Sequence, residues 1–238
     1  MQLIDKIRYY IHKILPRRIN DELTNFQTRK LRNRTPKEIF TDYFHKNYWG
    51  GIESASGPGS DDSQTAVVKQ AISQILREYR ISTILDIPCG DFNWMKQVDL
   101  GNSKYIGADI VSELIEKNRR YINDRIEFQV IDLINESLPK ADLIIVRDCF
   151  IHFSNADVHK SLRNIIDSGS TYLLTTTFTE RALNGDIFTG QWRAINLQKE
   201  PFCFGTPIIL INEGCTEEDG KYYDKCLGLW KISEISSN

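Results

Sequence analysis

Residues 84–95 read I-L-D-I-P-C-G-D-F-N-W-M. Four residues of strand character lead through Pro88 and Gly90 into the expected start of a helix. A glycine at such a turn lets the backbone approach a ligand closely, and the unpaired N–H groups of the helix start can bind one. Asp86 and Asp91 are informative because a phosphate-binding loop disfavours two carboxylates, whereas a cationic ligand favours them. The stretch therefore predicts a binding loop at the end of a buried strand.

Strands and helices alternate after this loop, as in a mostly parallel sheet covered by helices on both faces. The residue pattern predicts strands at 83–87, 104–109, 126–131, 142–147 and 171–176, and helices at 92–97, 111–122 and 155–166. Beyond residue 177, a long polar loop precedes two β-rich stretches, 207–212 and 226–232. The predicted class is α/β.

Further helices precede the sheet. The pattern predicts one at 3–15, a second at 20–34, a third that starts at Thr35-Pro36 and a long one at 61–79. We divide the chain into an N-terminal helical extension, 1–46, and a main domain, 47–238. Two loops of the main domain, 47–60 and 178–205, are expected to act as lids, because long loops without secondary structure in a compact domain are usually functional.

Composition limits the class of protein. The chain has 238 residues and a net charge of −2, so we expect no nucleic-acid partner. It has no apolar run of the roughly 18 residues that a transmembrane helix needs. Five cysteines without a C-x-x-C pair argue against a zinc site. Reduced thiols in the cytoplasm are the expectation.

Positive charge is concentrated at the N-terminus, where residues 1–50 hold 11 Lys and Arg against 5 Asp and Glu. Within 1–18, apolar residues at helical spacing are interspersed with basic ones. Two interpretations stay open: a helix lying on the inner face of the membrane, or a helix docked on the domain or on a partner chain.

Two more acids end predicted strands. Asp109 ends the second strand, 23 residues after Asp86, and Asp132 ends the third. Each acid alone is compatible with a helix N-cap, but three at successive strand ends point to a ligand at the carboxyl edge of the sheet. An acid at the end of the second strand commonly binds ribose hydroxyls. A nicotinamide dinucleotide site is disfavoured because no G-x-G-x-x-G follows any strand, and a Walker loop is absent as well.

This order of segments resembles the class I S-adenosylmethionine-dependent methyltransferases. Residues 86–91 match the first motif of that family, Asp109 its ribose-binding acid, Asp132 its adenine-side acid, and residues 138–153 its fourth strand. The resemblance covers about residues 65–235. It implies a three-layer sandwich around a seven-stranded sheet of order 3-2-1-4-5-7-6, with strand 7 antiparallel. Pro88 and Cys89 depart from the family, which commonly has glycine or another small residue there.

The resemblance also implies the cofactor, S-adenosyl-L-methionine, whose ammonium and sulfonium groups suit an acidic loop. The residues expected to bind it surround the ends of the first four strands: Asp86, Pro88, Gly90, Asp91, Trp94, Asp109, Ile110, Asp132, Leu133 and Arg147.

Methyl transfer to oxygen or nitrogen often requires a base that removes the acceptor's proton. His152, after the fourth strand, is the preferred base because imidazole titrates near working pH; alternatively it packs under the next helix. Asp148 is expected to contact the methionine portion of the cofactor or to orient the acceptor. No third ligand accompanies these two at a convincing spacing, so we expect no metal.

Two loops supply the expected substrate-binding residues. Trp192 and Arg193 combine a stacking face with an anion clamp, although Trp192 alternatively folds its own loop. Trp49, Ser56 and Gly57 belong to the predicted lid at 47–60.

The segments W-G-G-I-E-S-A-S-G-P-G-S, R-D-C-F-I-H-F, W-R-A-I-N-L and D-K-C-L-G-L-W are similar to a narrower group of bacterial methyltransferases associated with surface-polysaccharide biosynthesis. That likeness implies a small-molecule or glycan acceptor, methylated on a sugar, nucleotide-sugar or phosphoryl oxygen. The alternatives are an N-methyltransferase that acts on an amine or a protein, which usually carries an N/D-P-P-Y loop where this chain has R-D-C-F, and a non-catalytic subunit with the same fold.

Overall fold

The computed structural model describes residues 30–235. The helix expected at 3–15, most of the one at 20–34 and the basic segment 1–18 lie outside these residues. Within the described part of the chain, a seven-stranded sheet forms the centre of the molecule. Within residues 30–235, no helix combines the length and the apolar character that crossing a bilayer requires.

The strands are β1 (Thr83–Asp86), β2 (Lys104–Asp109), β3 (Ile126–Val130), β4 (Leu143–Val146), β5 (Tyr172–Phe178), β6 (Ile209–Asn212) and β7 (Lys225–Lys231). The helices are α1 (Pro36–His45), α2 (Asp62–Glu78), α3 (Ser112–Asn118) and α4 (Asn155–Asp167), with a short helical turn at Glu217–Gly220. Single 3-10 turns occur at Pro58–Ser60, Met95–Gln97, Arg119–Tyr121, Phe150–His152 and Ile232–Glu234.

The strand order is β3-β2-β1-β4-β5-β7-β6, which confirms the predicted topology. The first five strands are parallel, and β7 is antiparallel to both β5 and β6. Because β7 runs in the opposite direction, its first residue, Lys225, pairs with the last residue of β5, Phe178. The beginning of β7 therefore lies at the carboxyl edge of the parallel strands.

Successive side chains of each strand point to opposite faces of the sheet, so a separate core lies on each face. Ile84 and Ile145 pack with the apolar face of α2, whereas Leu85 and Ile144 pack with α4 on the other face. β4 is buried along its whole length, as expected for a central parallel strand. These two layers of helices complete the predicted three-layer sandwich.

Helix boundaries differ from the predictions where the backbone leaves the helical region. The helix expected at 92–97 is reduced to the 3-10 turn Met95–Gln97, because Phe92 has a positive φ of 59°. The helix expected at 111–122 ends as α3 at Asn118 and continues as a 3-10 turn. Ser154 caps α4 and accepts a hydrogen bond from the Asp157 backbone N–H.

Residues 195–204 of the segment 178–205 pack into the core, whereas Leu183, Phe188 and Trp192 of the same segment are exposed, and its role as a lid stays a prediction. Ile195, Leu197, Phe202 and Phe204 are buried in the same core as α4. Asn196 is also buried and donates to the backbone oxygens of Thr179 and Arg181. Opening residues 195–204 would expose four apolar side chains, at about 1.5–3 kcal/mol each, so the core holds this part of the segment in place.

Candidate functional site

A closed cavity of about 140 Å³ lies at the carboxyl edge of β1 to β4. Eight of the ten residues that the sequence assigns to the cofactor line it: Pro88, Gly90, Trp94, Asp109, Ile110, Asp132, Leu133 and Arg147. The cavity forms here because the parallel strands end at one edge and the loops after them diverge to opposite faces of the sheet.

Asp109 and Asp132 place two carboxyl groups in a largely apolar cavity. Asp109 is buried and accepts hydrogen bonds from the backbone N–H groups of Gly90 and Val111. Burial raises the pKa of Asp109 to about 6, against these stabilising bonds. Asp132 accepts from the Ile134 N–H, so it also has the helix-capping type of contact considered from sequence. Each carboxylate oxygen can accept more than one hydrogen bond, so both acids can accept further hydrogen bonds from a ligand.

The segment 47–60 closes the cavity by packing on the loop after β1. Asp91 accepts from Ser54 Oγ at 3.0 Å and from the Ala55 N–H at 2.8 Å. Gly90 has a φ of +55°, and a Cβ there would lie 2.3 Å from Ser56 Oγ. A side chain at residue 90 would therefore prevent this close approach. Asp91 does not line the cavity but anchors the segment 47–60, and its expected contact with the cofactor stays a prediction.

Asp86 is likewise not among the cavity-lining residues. It is buried and accepts a hydrogen bond from Tyr105 Oη at 2.7 Å. Burial raises the pKa of Asp86 to about 7, although the Tyr105 bond lowers it. Desolvation therefore favours the neutral form of Asp86, and its contact with the cofactor stays a prediction.

Helix α1 supplies cavity residues that sequence reasoning missed. Pro36, Phe40 and Phe44 line the cavity, and Phe40 contacts Phe153 of the main domain with ring centroids 5.9 Å apart. Tyr43 Oη donates to the Gly190 backbone oxygen at 2.8 Å. The described part of the predicted extension 1–46 is therefore a wall of the site. Aromatic residues on the apolar face of α1 were the available signal.

A second, more open cleft of about 830 Å³ adjoins the closed cavity. Four residues line both spaces: Trp49, Ser56, Asp148 and His152. Gly57 and Trp192, also expected at the substrate site, line the open cleft. The residues shared by both spaces mark where they meet.

His152 ends a 3-10 turn after β4 and packs against Trp49, with ring centroids 5.6 Å apart. Its Nδ1 lies 3.1 Å from the Gln191 backbone oxygen. A carbonyl can only accept, so this contact requires the hydrogen on Nδ1 and leaves Nε2 of the neutral ring as an acceptor. Burial lowers the pKa of His152 below its ordinary value. The imidazole is therefore prepared to take a proton at Nε2.

Asp148 follows β4 with a positive φ of 52°, an uncommon conformation for a non-glycine residue. Thr176 Oγ1 accepts from the Asp148 N–H at 2.8 Å. Lys225 Nζ lies 2.7 Å from Asp148 Oδ2 and 3.5 Å from Glu213 Oε2. Arg147 donates to the same Glu213 oxygen at 2.7 Å. Despite burial, the cations Lys225 and Arg147 hold the pKa of Asp148 at about 2.

This ion cluster was missed from sequence, apart from Arg147 and Asp148. Glu213 follows β6 and Lys225 begins β7, so the antiparallel direction of β7 brings both to the carboxyl edge. The available signal was a lysine at the start of an otherwise apolar strand. Arg147 lines the cavity, but its guanidinium is held by Glu213 and by the Gly59 backbone oxygen.

The structure separates Trp192 from Arg193. Trp192 is 43% exposed in the open cleft and packs against Tyr222, with centroids 5.0 Å apart. Arg193 is buried and donates to the Phe153 backbone oxygen and to Asn155 Oδ1. The expected anion clamp at Arg193 is therefore corrected: its guanidinium braces the loop.

Comparisons with known proteins agree with this geometry. Residues 84–168 match the model of a methyltransferase domain. No curated protein sequence matches the chain. Among residues 30–235, no three His, Cys, Asp or Glu side chains are grouped so as to hold a metal ion.

Solved structures share the fold. Human N-acetylserotonin methyltransferase has a TM-score of 0.55 at 15% identity, over 82% of this chain and 59% of the human one. The N-methyltransferase NodS from Bradyrhizobium japonicum has a TM-score of 0.52 at 14% identity, over 72% of this chain and 97% of NodS. The methyltransferase domain of bacterial CtHen1 has a TM-score of 0.52 at 10% identity, over 71% and 99%. At these identities the likeness concerns the fold. Residues 84–168 therefore match a methyltransferase domain within this fold.

Proposed function

We propose that this chain methylates a hydroxyl oxygen of a sugar or nucleotide-sugar in surface-glycan biosynthesis. One observation supports this reaction above the others: Asp148 and His152 line both the closed cavity and the open cleft. A methyl donor in the first space and an acceptor in the second would meet beside a neutral imidazole whose Nε2 can accept a proton.

The closed cavity has the chemistry that the cofactor needs. Its apolar lining, which includes Phe44, Leu114 and Leu133, suits an adenine ring. Asp109 and Asp132 offer carboxylate oxygens to ribose hydroxyls and to the adenine amino group. Gly90 keeps the loop after β1 free of a side chain at its closest approach. We assign the methionine end to the side lined by Trp94, Arg147 and Asp148.

When bound, S-adenosylmethionine supplies a methyl group on a positively charged sulfur, which leaves as a neutral thioether. The chain's own contribution is alignment and proton removal. As the new carbon–oxygen bond forms, the hydroxyl proton passes to His152 Nε2. Asp148 lies close enough for its negative charge to stabilise the resulting imidazolium, which agrees with its raising effect on the pKa of His152.

An amine acceptor is the second candidate, and one observation favours it. Three acidic residues, Glu217, Glu218 and Asp219, line the open cleft and would attract a cation. We rank it second because the N/D-P-P-Y loop usual in N-methyltransferases is replaced by R-D-C-F in this chain.

Two measurements test the proposal. Calorimetry should show binding of S-adenosylmethionine, weakened at least tenfold in Asp109→Ala, because two hydroxyl contacts are lost. A control, Asp99→Ala, changes an acid outside both spaces and should bind normally. Formation of S-adenosylhomocysteine should then depend on hydroxyl-bearing sugars or nucleotide-sugars. A wild-type protein that does not bind the cofactor, or one that transfers methyl groups only to amines, would contradict the proposal.

A peripheral position at the inner face of the membrane is a further part of this proposal, supported by the basic composition of residues 1–18. Binding to vesicles that contain anionic lipid should be lost when these residues are removed. Equal binding with and without them would leave the membrane contact without support.

A further inference from the structure

We propose that the acceptor carries no negative charge near the methylated group, and that Glu217 enforces this selection while Trp192 and Tyr222 hold an uncharged sugar ring. This inference rests on the proposed function and narrows it: phosphoryl oxygens, uronic acids and other carboxylates are excluded as methyl acceptors. The argument concerns the open cleft next to Asp148 and His152.

The cleft offers an anion no free cation. Among the described residues that line it, Lys225 is the single Lys or Arg. Its ammonium is already held by Asp148 at 2.7 Å and by Glu213 at 3.5 Å. Arg193, which sequence suggested as an anion clamp, is directed to Phe153 and Asn155. Burial keeps the pKa of His152 low, so this ring is neutral before it accepts a proton.

Carboxyl groups dominate the remaining polar wall. Glu217 lies next to the reacting position: a Cβ built on Gly59 would lie 3.1 Å from Glu217 Oε2 and 3.6 Å from Asp148 Oδ2. The two carboxyl groups therefore converge on one point beside the junction. Glu217 accepts from the Cys215 thiol at 3.6 Å. Burial raises the pKa of Glu217, although the charges of Lys225 and Arg147 lower it. Its oxygens are available to hydroxyl groups, whereas a phosphate or carboxylate there would meet the like charge of the ionised carboxylate.

The aromatic side of the cleft suits a ring with apolar faces. Trp192 and Tyr222 pack at 54° to each other, and Phe178 lies edge-on behind Trp192. This arrangement fixes the indole, yet leaves Trp192 43% exposed. A large exposed aromatic held rigidly beside carboxyl groups matches the needs of a pyranose, which has C–H faces and a rim of hydroxyls. A neutral sugar is thus favoured in two ways: the aromatic rings attract its C–H faces, and the carboxyl groups repel competing anions.

Binding of simple sugars in the presence of S-adenosylhomocysteine tests the inference. Saturation-transfer NMR would compare methyl α-glucopyranoside with glucose 6-phosphate and glucuronic acid at equal concentration. The wild type should bind the neutral sugar at least tenfold more tightly than either anion. Trp192→Ala should lose the neutral sugar and keep its affinity for S-adenosylhomocysteine.

Charge variants make the test specific to Glu217. Glu217→Gln should reduce the discrimination, and Glu217→Lys should reverse it in favour of glucose 6-phosphate. Glu127→Lys makes the same charge change on the exposed side of β3 and should leave the ratio unchanged. Equal or tighter binding of an anion by the wild type, no change of the ratio in both Glu217 variants, or no Trp192-dependent sugar signal would overturn the inference. Failure to bind S-adenosylhomocysteine would instead overturn the proposed function itself.

Discussion

Lys225 Nζ contacts Asp148 Oδ2 at 2.7 Å, across 77 residues of sequence. The contact joins the start of an antiparallel strand to the residue that follows β4, and both side chains line the open cleft. A buried lysine beside a partly buried aspartate is costly unless each satisfies the other. The pair therefore fixes the carboxylate next to His152 in its charged form.

Removing this lysine should destabilise the protein and alter its response to acid. Lys225→Met leaves Asp148 without its nearest cation, at a cost of about 3–5 kcal/mol. The depressed pKa of Asp148, about 2, contributes stability that is present above pH 3.8 and lost as pH falls through 2. In the variant this pKa rises towards 3.8, so less stability should be lost between pH 3.8 and pH 2. Denaturant unfolding between pH 2 and 7 measures it.

The matched control for that experiment lies on the same strand. Lys231→Met removes an exposed lysine whose partner is Glu234 at 3.6 Å. An exposed pair of this kind contributes little, so the unfolding free energy and its pH dependence should stay close to wild type. Similar losses in both variants would show that the Lys225 contact is unimportant.

His152 should matter for turnover and not for cofactor affinity. His152→Gln should lower kcat by about 10²- to 10⁴-fold, the usual contribution of a positioned general base. Because burial lowers the pKa of His152 below 6.5, wild-type activity should persist into mildly acidic solution before protonation abolishes it. His159→Gln, a change on α4 outside both spaces, serves as the control. A His152→Gln enzyme with full turnover would remove the base assignment.

Asp91 should control closure of the segment 47–60. Asp91→Ala removes the acceptor of Ser54 Oγ and the Ala55 N–H. The segment should then exchange its amide hydrogens faster, and the affinity for S-adenosylmethionine should fall about tenfold. Ser54→Ala should give a smaller loss, because the Ala55 bond remains. If the two losses add fully in the double variant, the contact between Ser54 and Asp91 is not what holds the segment closed.

Asp86 should make the protein less stable at higher pH. Its pKa rises from 3.8 in the unfolded chain to about 7 in the fold, so the native state binds more protons between these values. The free energy of unfolding therefore falls as pH increases from 3.8 through 7. Asp86→Asn should reduce that fall by up to a few kcal/mol, at about 1.4 kcal/mol per unit of pKa.

The measurement for Asp86 is the melting temperature at pH 5 and pH 8 without cofactor. Asp109, whose pKa is raised to about 6, has the same sign, so part of the slope should remain in Asp86→Asn. Exposed Asp124→Asn should melt like the wild type at both values. An unchanged slope in Asp86→Asn would show that Asp86 is charged throughout.

The strands could be predicted because they depend on local patterns, whereas their order was implied by the resemblance to the class I methyltransferases. Alternating apolar runs mark the strands, and parallel strands place their last residues at one edge, which brings Asp109 and Asp132 together. The same reasoning could not distinguish an acid that faces the cavity from one that supports its wall. Asp86 and Asp91 have the sequence context of ligand-binding residues, yet they accept hydrogen bonds from Tyr105 and Ser54 of the protein itself.

By itself, the sequence determined the sheet, its two helical layers and the acidic ends of its strands, since these follow from periodicity over a few residues. Only the tertiary structure decided which charged side chains are paired within the protein and which remain available to a ligand. The segment 178–205 buries Arg193, α1 closes the cavity with Phe40, and the reversed direction of β7 delivers Lys225 to Asp148. These are contacts between residues far apart in the chain. The positions and charge states of these side chains depend on packing and desolvation, which no local pattern encodes.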